Sequence, residues 1–407
     1  MGLSRLCRFL AWLRGVPGIS PAPAPEQVPA PAPISTWTPD LQRIATHPRR
    51  ELVPPQAPVH SKQLNLQWII PDAANKSGGG HMSIFRHVRF LEAQGHQQTL
   101  WLRPPWFHNS PEEALKTFQA YQPLSAGVEV RFLPDDPGQI SGDAVIATDW
   151  WTAYPALAVS HVRERFYVVQ DFEPQFQPMG AGYLLAENTY RFGFKCLCGG
   201  NWLAQRLRED YACWTRAWPL AYDPEIYFSQ GSVSTKHSAI PRIAFYYRPS
   251  TPRRAVELAL AAFELLHAQG LHFSVDFFGE PLAFTPAYSY QDHGVLTPPE
   301  LADLYRAVDL GVVFSATNYS LIPLEMMACG LPVVELDMPG TRAVFPAGTT
   351  LSVAPDPVKI AAGIQSALSE PAQLAQIRQA AAEHVATLNW AASCTAFEQA
   401  LIEGLTA

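Results

Sequence analysis

Residues 64–102 read LNLQWIIPDAANKSGGGHMSIFRHVRFLEAQGHQQTLWL, and the order of patterns within them decides the fold class. LNLQWIIPD is an apolar run of strand length that closes at Pro71. A polar, glycine-rich loop follows, and then Ile84, Val88 and Leu91 fall at i, i+4 and i+7, one face of a helix. Gly95 stands where a helix stop belongs, and TLWL resumes as a strand. Strand, glycine loop, helix and strand in this order predict a parallel α/β layer, because parallel neighbours need a crossover of helical length. The apolar runs DAVIAT (143–148), RFYVVQ (165–170) and FKCLCGG (194–200) continue the alternation, with NWLAQRLRED (201–210) as a helix between strands. A Rossmann-like, doubly wound domain over residues 61–235 is the expectation.

The alternation then breaks and restarts. FSQGSVSTKHSAIP (228–241) is polar, turn-rich and aperiodic, which marks a linker. Beyond it come RIAFYY, a helix from Pro252 to Gln269, HFSVDFFG, a helix near 298–307, LGVVFS, a helix near 321–329, and LPVVEL. These predict a second Rossmann-like domain over 238–388 and a central cleft between the two. By analogy with other two-domain folds, the last helical stretch (about Trp390 to Leu405, within 389–407) crosses back to the first domain. The chain has 407 residues, 48% of them hydrophobic, which suits two cores and not a disordered chain. Its net charge of −7 gives no overall electrostatic ground for a nucleic-acid partner.

Residues 1–60 read differently. PGISPAPAPEQVPAPAP fixes φ, lacks donors and predicts an extended tether. Before it, Leu3, Leu6, Leu10 and Leu13 recur at helical spacing among Arg5, Arg8 and Arg14. Two readings stand for that segment, a frayed tail and an amphipathic contact with an anionic membrane face. No apolar run reaches the roughly 20 residues that span a bilayer. The six cysteines, Cys7, Cys196, Cys198, Cys213, Cys329 and Cys394, show neither a CxxC pair nor zinc-ligand spacing. Buried thiols and a reducing, cytoplasmic setting are expected, with no metal and no cofactor.

The chemistry concentrates in the second half. In FYYRPSTPRRAVELALAAF, Arg248 follows a strand, Thr251 and Pro252 cap the next helix, and Arg253 and Arg254 enter its first turn. Cations there oppose the helix dipole, so an anion explains them better than helix stability does. Thr297, Pro298 and Glu300 make a capping box and nothing more. In SATNYSLIPLEMMACGLPVV, Ser320 caps a helix whose first turn offers free N–H groups at a strand's carboxyl end, beside Leu321. Glu325 in the second turn is placed to accept ribose hydroxyls.

IPLEMMACGLPVV resembles the string that marks family 4 of the glycosyltransferases. In that family two acids stand eight positions apart, the second gripping the nucleotide ribose. Glu325 matches the second, and Thr317 stands at the first. Arg248 and either Arg253 or Arg254 match the family's cationic pair on the donor diphosphate. IIPDAANKSGGGHMSIFRHVRFLEAQGH, VVQDFEPQFQPMGAGYLLAENTYRFGF, YYRPSTPRR and TNYSLIPLEMMACGLPVV together are similar to WsaF-like rhamnosyltransferases of bacterial cell-surface glycans, over most of residues 64–340. The resemblance implies the GT-B fold, a dTDP-rhamnose donor, an oligosaccharide or lipid-linked glycan acceptor and retention at the anomeric carbon. Thr317 offers one hydroxyl and a methyl where an acid is usual, which suits a 6-deoxysugar.

Two first-domain motifs complete the expected site. Gly78 to Gly80 permit close backbone approach ahead of a helix, so Gly79 and Gly80 are read as donor-phosphate contacts, with a plain turn as the alternative. His81 is left unassigned. In VVQDFEP, Asp171 and Glu173 follow a strand end, where carboxylates bind acceptor hydroxyls or assist deprotonation, or merely line a loop. Glu187, Tyr190 and Arg191 in ENTYRFGF suit sugar recognition or loop structure equally. Arg248, Arg253 and Asp171 are the expected catalytic groups. An inactive nucleotide-sugar-binding scaffold and a sugar-nucleotide epimerase remain as competing readings.

Overall fold

A computed structural model gives the fold and describes residues 47–56, 62–72, 79–119, 127–230 and 240–406, with residues 41, 44, 59, 123 and 124 besides. The amphipathic N-terminus, most of the tether, Gly78 and residues 231–239 of the linker lie outside the described residues. Residues 47–407 form one unit containing two parallel sheets; of the unit before it, only Leu41 and Ile44 are described.

The first sheet comprises β1 (Asn65–Pro71), β2 (Gln97–Arg103), β3 (Val128–Phe132), β4 (Ala144–Ala147), β5 (Glu164–Val169), β6 (Lys195–Gly199) and β7 (Thr215–Trp218). Its spatial order is β3-β2-β1-β4-β5-β6-β7, every pair parallel. The helices of this half are α1 (Gly79–Ala93), α2 (Pro111–Gln119), α3 (Trp150–Ala158), α4 (Ala181–Thr189) and α5 (Asn201–Tyr211). The second sheet comprises β8 (Arg242–Tyr247), β9 (Ser274–Gly279), β10 (Ser289–Asp292), β11 (Leu310–Val312), β12 (Val333–Leu336) and β13 (Leu351–Val353), in the order β10-β9-β8-β11-β12-β13. With it go α6 (Val256–Ala268), α7 (Pro298–Ala307), α8 (Ile322–Ala328), α9 (Pro339–Arg342), α10 (Pro357–Ser369) and α11 (Pro371–Val385). α12 (Trp390–Thr406) ends the chain. Each sheet reverses its strand order beside its first strand, between β1 and β4 and between β8 and β11, so each is doubly wound. Two such sheets are the GT-B architecture.

The core follows from the strand patterns. Leu66, Trp68 and Ile70 of β1 and Leu100 and Leu102 of β2 bury against Ile84, Phe85, Val88 and Leu91 of α1. In the second domain Ile243, Phe245 and Phe277 bury against Phe263 of α6 and Ile360 and Ile364 of α10. α12 packs on the first domain. Phe397 stacks on Trp68 (ring centroids 5.9 Å apart) and on His87 (4.2 Å), and Ser393 Oγ donates to the Pro219 carbonyl at 2.6 Å. Burying one such aromatic contributes about 1.5–3 kcal/mol. Gly404 allows the last turn to close on β5, since a Cβ there would stand 2.5 Å from Cε1 of Phe166.

Two local expectations change. The tether is shorter than residues 1–60, because Arg50 N and Val53 N donate to the carbonyls of Leu157 (3.0 Å) and Ser160 (2.8 Å), and the Arg165 guanidinium donates to the Arg50 carbonyl (2.7 Å). Partners more than a hundred residues away leave no periodic trace. The helix expected from Pro252 also splits. Pro252–Arg254 form a 3-10 turn, Ala255 adopts a left-handed conformation (φ 43°, ψ 42°), and α6 starts only at Val256. Arg253 and Arg254 therefore precede the helix instead of occupying its first turn.

Candidate functional site

The second domain brings its arginines to the point where its strand order reverses. β8 ends at Tyr247, and Arg248 follows, its Nη1 donating to Tyr246 Oη (3.0 Å) and its Nε 3.7 Å from Glu280 Oε1. Its side chain is 31% exposed, so most of its five donors remain available to a ligand. Arg254 is different. Its Nη1 donates to Ser315 Oγ (2.9 Å) and to the Phe314 carbonyl (3.4 Å) inside the domain. Nearby Glu335 accepts from Ser315 N (2.8 Å) and Leu336 N (2.9 Å), and burial pushes its carboxyl up to about 8 against the pull of those bonds and of Arg254. Arg254 is thus tied into the framework of the second domain. Arg253 turns to the first domain, its guanidinium 4.1 Å from the Phe176 ring centroid and its Nε 3.4 Å from Asp171 Oδ2. Of the two arginines, Arg253 is thus the one that reaches the first domain.

The loop after β11 joins the domains. Thr317 Oγ1 donates to Asp171 Oδ2 (2.8 Å) and Asn318 N to Asp171 Oδ1 (2.9 Å). Asn318 Nδ2 donates to the carbonyls of Gln170 (2.8 Å) and Gly199 (3.1 Å), and Leu220 N donates to Tyr319 Oη (3.3 Å). Burial raises the Asp171 carboxyl above the usual range, opposed chiefly by Arg253 and then by the Asn318 and Thr317 bonds. Both Asp171 oxygens are occupied, which corrects its expected role on the acceptor. Asp171 bridges the domains, and Thr317 spends its hydroxyl on that bridge instead of on a sugar. Asn318, which sequence reasoning passed over, donates two cross-domain hydrogen bonds from its side chain. Its only sequence signal is an amide in a polar loop after a strand.

Ser320 and Glu325 also depart from expectation. α8 has Leu321 at its N-cap position, without a side-chain cap, and Ser320 Oγ is buried with no partner. Ser320 does not cap the helix, because Leu321 already adopts helical geometry. Glu325 is half-buried, and burial lifts its carboxyl to about 7. A hydrogen bond from Tyr227 and the nearby Arg86 hold the value down, while Asp223, itself 3.2 Å from Arg86 Nη2, pushes it up. Among the described residues Glu325 makes no ion pair with Arg248 or Arg253; its neighbours are Tyr227, Arg86 and Asp223.

On the first-domain side, Gly79 and Gly80 open α1, and Gly80 lies near the Gln170 amide at the end of β5. His81 follows with a buried, unpartnered Nε2, its pKa lowered by burial against the pull of Asp149. Asp149 caps α3, accepting from Thr152 N at 2.7 Å, and burial raises its carboxyl despite Arg103. Glu173 and Tyr190 lie in the interior, a correction to their expected place on the acceptor. Glu173 Oε2 accepts from Trp150 N (2.6 Å) and Tyr167 Oη (2.7 Å), while Glu173 N donates to Tyr190 Oη (3.2 Å). Burial drives the Glu173 carboxyl well above the usual range. Buried polar groups hold whatever partners they can reach, and a charged motif in sequence does not show that burial. Glu187 and Arg191 pair with each other at 3.2 Å, and Tyr211 Oη donates to Glu187 Oε1 (3.0 Å). This pair stays partly exposed and does not touch Asp171. Among the described residues no three His, Cys, Asp or Glu side chains are grouped to hold a metal ion.

Comparison with known proteins agrees with the two-sheet geometry. Residues 139–197 match the WsaF N-terminal domain and residues 241–365 the WsaF C-terminal domain. The O-antigen biosynthesis protein RfbC of Myxococcus xanthus is 29% identical over 339 residues, covering 80% of this chain and 26% of that protein. The chain spans about a quarter of the length of the curated relatives it matches. Among solved structures, sucrose-phosphate synthase of Thermosynechococcus elongatus superposes with a TM-score of 0.63 at 16% identity, covering 83% of this chain and 98% of the other. Anabaena HepE in complex with UDP-glucose superposes at 0.62 and 14% identity, covering 84% and 99%. Both likenesses are of fold. Two partial WsaF domain matches on two doubly wound parallel sheets make the chain similar to WsaF, with the GT-B fold.

Proposed function

We propose that the chain transfers a sugar from a nucleoside diphosphate to a hydroxyl of a growing cell-surface glycan. The donor in this reading is dTDP-β-L-rhamnose, the acceptor an oligosaccharide or lipid-linked glycan, and the configuration is retained. The observation that carries the proposal is the pair Arg248 and Arg253, partly exposed at the strand-order reversal of the second sheet, with Arg253 against Asp171 of the first domain. As the bond from the anomeric carbon to phosphate oxygen breaks and a bond to acceptor oxygen forms, negative charge gathers on the departing diphosphate, whose oxygen takes up the acceptor's hydroxyl proton. Two guanidinium groups fixed beforehand stabilise that charge without reorganising. Glu325, when ionised, accepts ribose hydroxyls. Asp171 acts at one remove, holding Arg253 and the Thr317–Asn318 loop in place. The name of HepE's bound UDP-glucose supports a nucleotide-sugar donor class, and RfbC's name supports a surface-glycan role.

We place the activity at the inner face of the plasma membrane, with the N-terminal segment as a peripheral contact. No described helix is long and apolar enough to cross a membrane. Thr317 at the first acid position keeps a catalytically silent nucleotide-sugar binder as the second reading. Thermal shift across a panel of nucleotide sugars tests donor choice, since a ligand at a hundredfold excess over Kd raises stability by about 2.7 kcal/mol. The proposal expects dTDP-rhamnose to shift the melt most and a rhamnose-containing oligosaccharide to release dTDP. Binding without release supports the silent binder, and preference for a glucose donor refutes the rhamnose assignment.

A further inference from the structure

Among the described residues, the edge strands β2 and β3 leave one face of the first sheet partly open. Parallel sheets in α/β domains are ordinarily covered on both faces, and their strands are then apolar on both. On β1, β2 and β3 the face that carries Leu66, Trp68, Leu100 and Leu102 is buried. The other face reads across the registered strands as Gln67–Thr99–Glu129 and Ile69–Trp101–Arg131, with Asn65 beside Gln97 at the strands' beginnings; Gln67 and Ile69 are buried, so it opens only over β2 and β3. Thr99 and Trp101 are half-buried and Glu129 and Arg131 exposed, and the space before them is a groove of about 820 Å³. It reaches the strands' N-terminal ends, whereas Arg248 and Asp171 follow the C-terminal ends of β8 and β5.

The groove is organised in advance. Trp101 Nε1 donates to Gln67 Oε1 (2.8 Å), and Gln67 Nε2 donates to Asn65 Oδ1 (2.6 Å), which fixes both amides. The Arg131 guanidinium lies 5.6 Å from the Trp101 ring centroid and pairs with Glu129 at 2.7 Å. Gly142 lets the neighbouring segment press on this rim, since a Cβ there would stand 2.8 Å from the Asn65 carbonyl oxygen. One carboxylate and one guanidinium balance each other, so the lining carries no excess cation for a nucleic acid. Its lack of a broad apolar surface disfavours lipid or a hydrophobic helix. Amides, a carboxylate and a guanidinium grip vicinal hydroxyls, and an indole face takes the C–H side of a pyranose ring.

We propose that this groove is a second, non-catalytic saccharide site that holds a neutral oligosaccharide. Binding there is independent of nucleotide and of transfer at the cleft. Isothermal titration of the full chain, without nucleotide, against neutral hexasaccharides of rhamnose and of glucose tests it. At least one should bind, and Trp101→Ala and Glu129→Ala should each weaken that binding by about tenfold, the loss of one good contact. Arg248→Ala, which alters the cleft, should leave it unchanged, and the melting temperature of Glu129→Ala should match the parent. The proposal is overturned if neither saccharide binds the parent chain, or if Arg248→Ala abolishes binding while the groove variants retain it. A concentration-dependent dimer lost in the same groove variants would assign the groove to a second copy of the chain, and that also overturns it.

Discussion

Beyond the carboxyl ends of the strands, the second domain offers guanidinium groups and the first offers carboxylates. Arg248 and Arg253 keep about a third of their side chains exposed (31% and 29%). Asp72, Asp171 and Glu173 are buried, each accepting at least two hydrogen bonds. Asp149 spends itself on capping α3. Carboxylates held by several donors fix loop geometry, whereas a guanidinium with unspent donors can meet a ligand. The same topology therefore presents a hydrogen-bonded carboxylate wall on one side and partly exposed guanidinium groups on the other.

The sharpest break in that comparison lies within one turn. Arg254→Ala should cost about 3–5 kcal/mol of stability, as expected when one partner of a buried charged network is removed, and chemical denaturation reads it. A parent-like midpoint would show that Arg254 is not framework. Arg253→Ala should instead keep the melt and lower kcat/KM by about 10²–10³-fold, or roughly 2.7–4 kcal/mol of transition-state stabilisation. Equal rates with parent donor affinity would remove Arg253 from the site.

A smaller effect separates wall from scaffold. Gly404→Ala should destabilise by about 1–3 kcal/mol, because the added methyl meets the Phe166 ring across the contact between α12 and β5. Unchanged stability in that variant would mean that α12 can shift without cost.

The smallest effect is one of pH. Glu325 carries a carboxyl raised to about 7, above its ordinary 4.5. The unfolded chain binds its proton less tightly, so its contribution to stability is present below about pH 4.5 and is lost as pH rises through 7. Nucleotide affinity runs the other way, since the ionised form accepts ribose hydroxyls. Donor Kd measured from pH 6 to 8 should fall by about tenfold or less, and Glu325→Gln should flatten the profile. A profile that persists in Glu325→Gln assigns the titration to another group.

Much of this was legible in the chain itself. The strands at LNLQWIIPD, RFYVVQ, RIAFYY and LPVVEL stand where their apolar runs do, as do α1 with Gly95 beyond it and α12 from Trp390. Short edge strands such as β3, β10 and β13 escaped, because three to five residues with mixed exposure give no decisive period. Arg248 and Glu325 stood out through local motif. The burial of Glu173 and Tyr190 did not, since VVQDFEP and ENTYRFGF look like polar loops until their partners are in place.

Sequence alone determined the two α/β halves and put arginines after the first strand of the second, because periodicity, turn residues and strand ends are properties of neighbours in the chain. It could not say that Arg253 turns to Asp171 while Arg254 turns inward, nor that Asp171 answers to Thr317 and Asn318. Those outcomes depend on atoms 146 and 147 residues apart in the chain that meet only when both sheets are formed, and on the burial that meeting imposes. Tertiary structure decided them because desolvation and hydrogen bonding act through space, and a one-dimensional pattern does not record which charges leave water together.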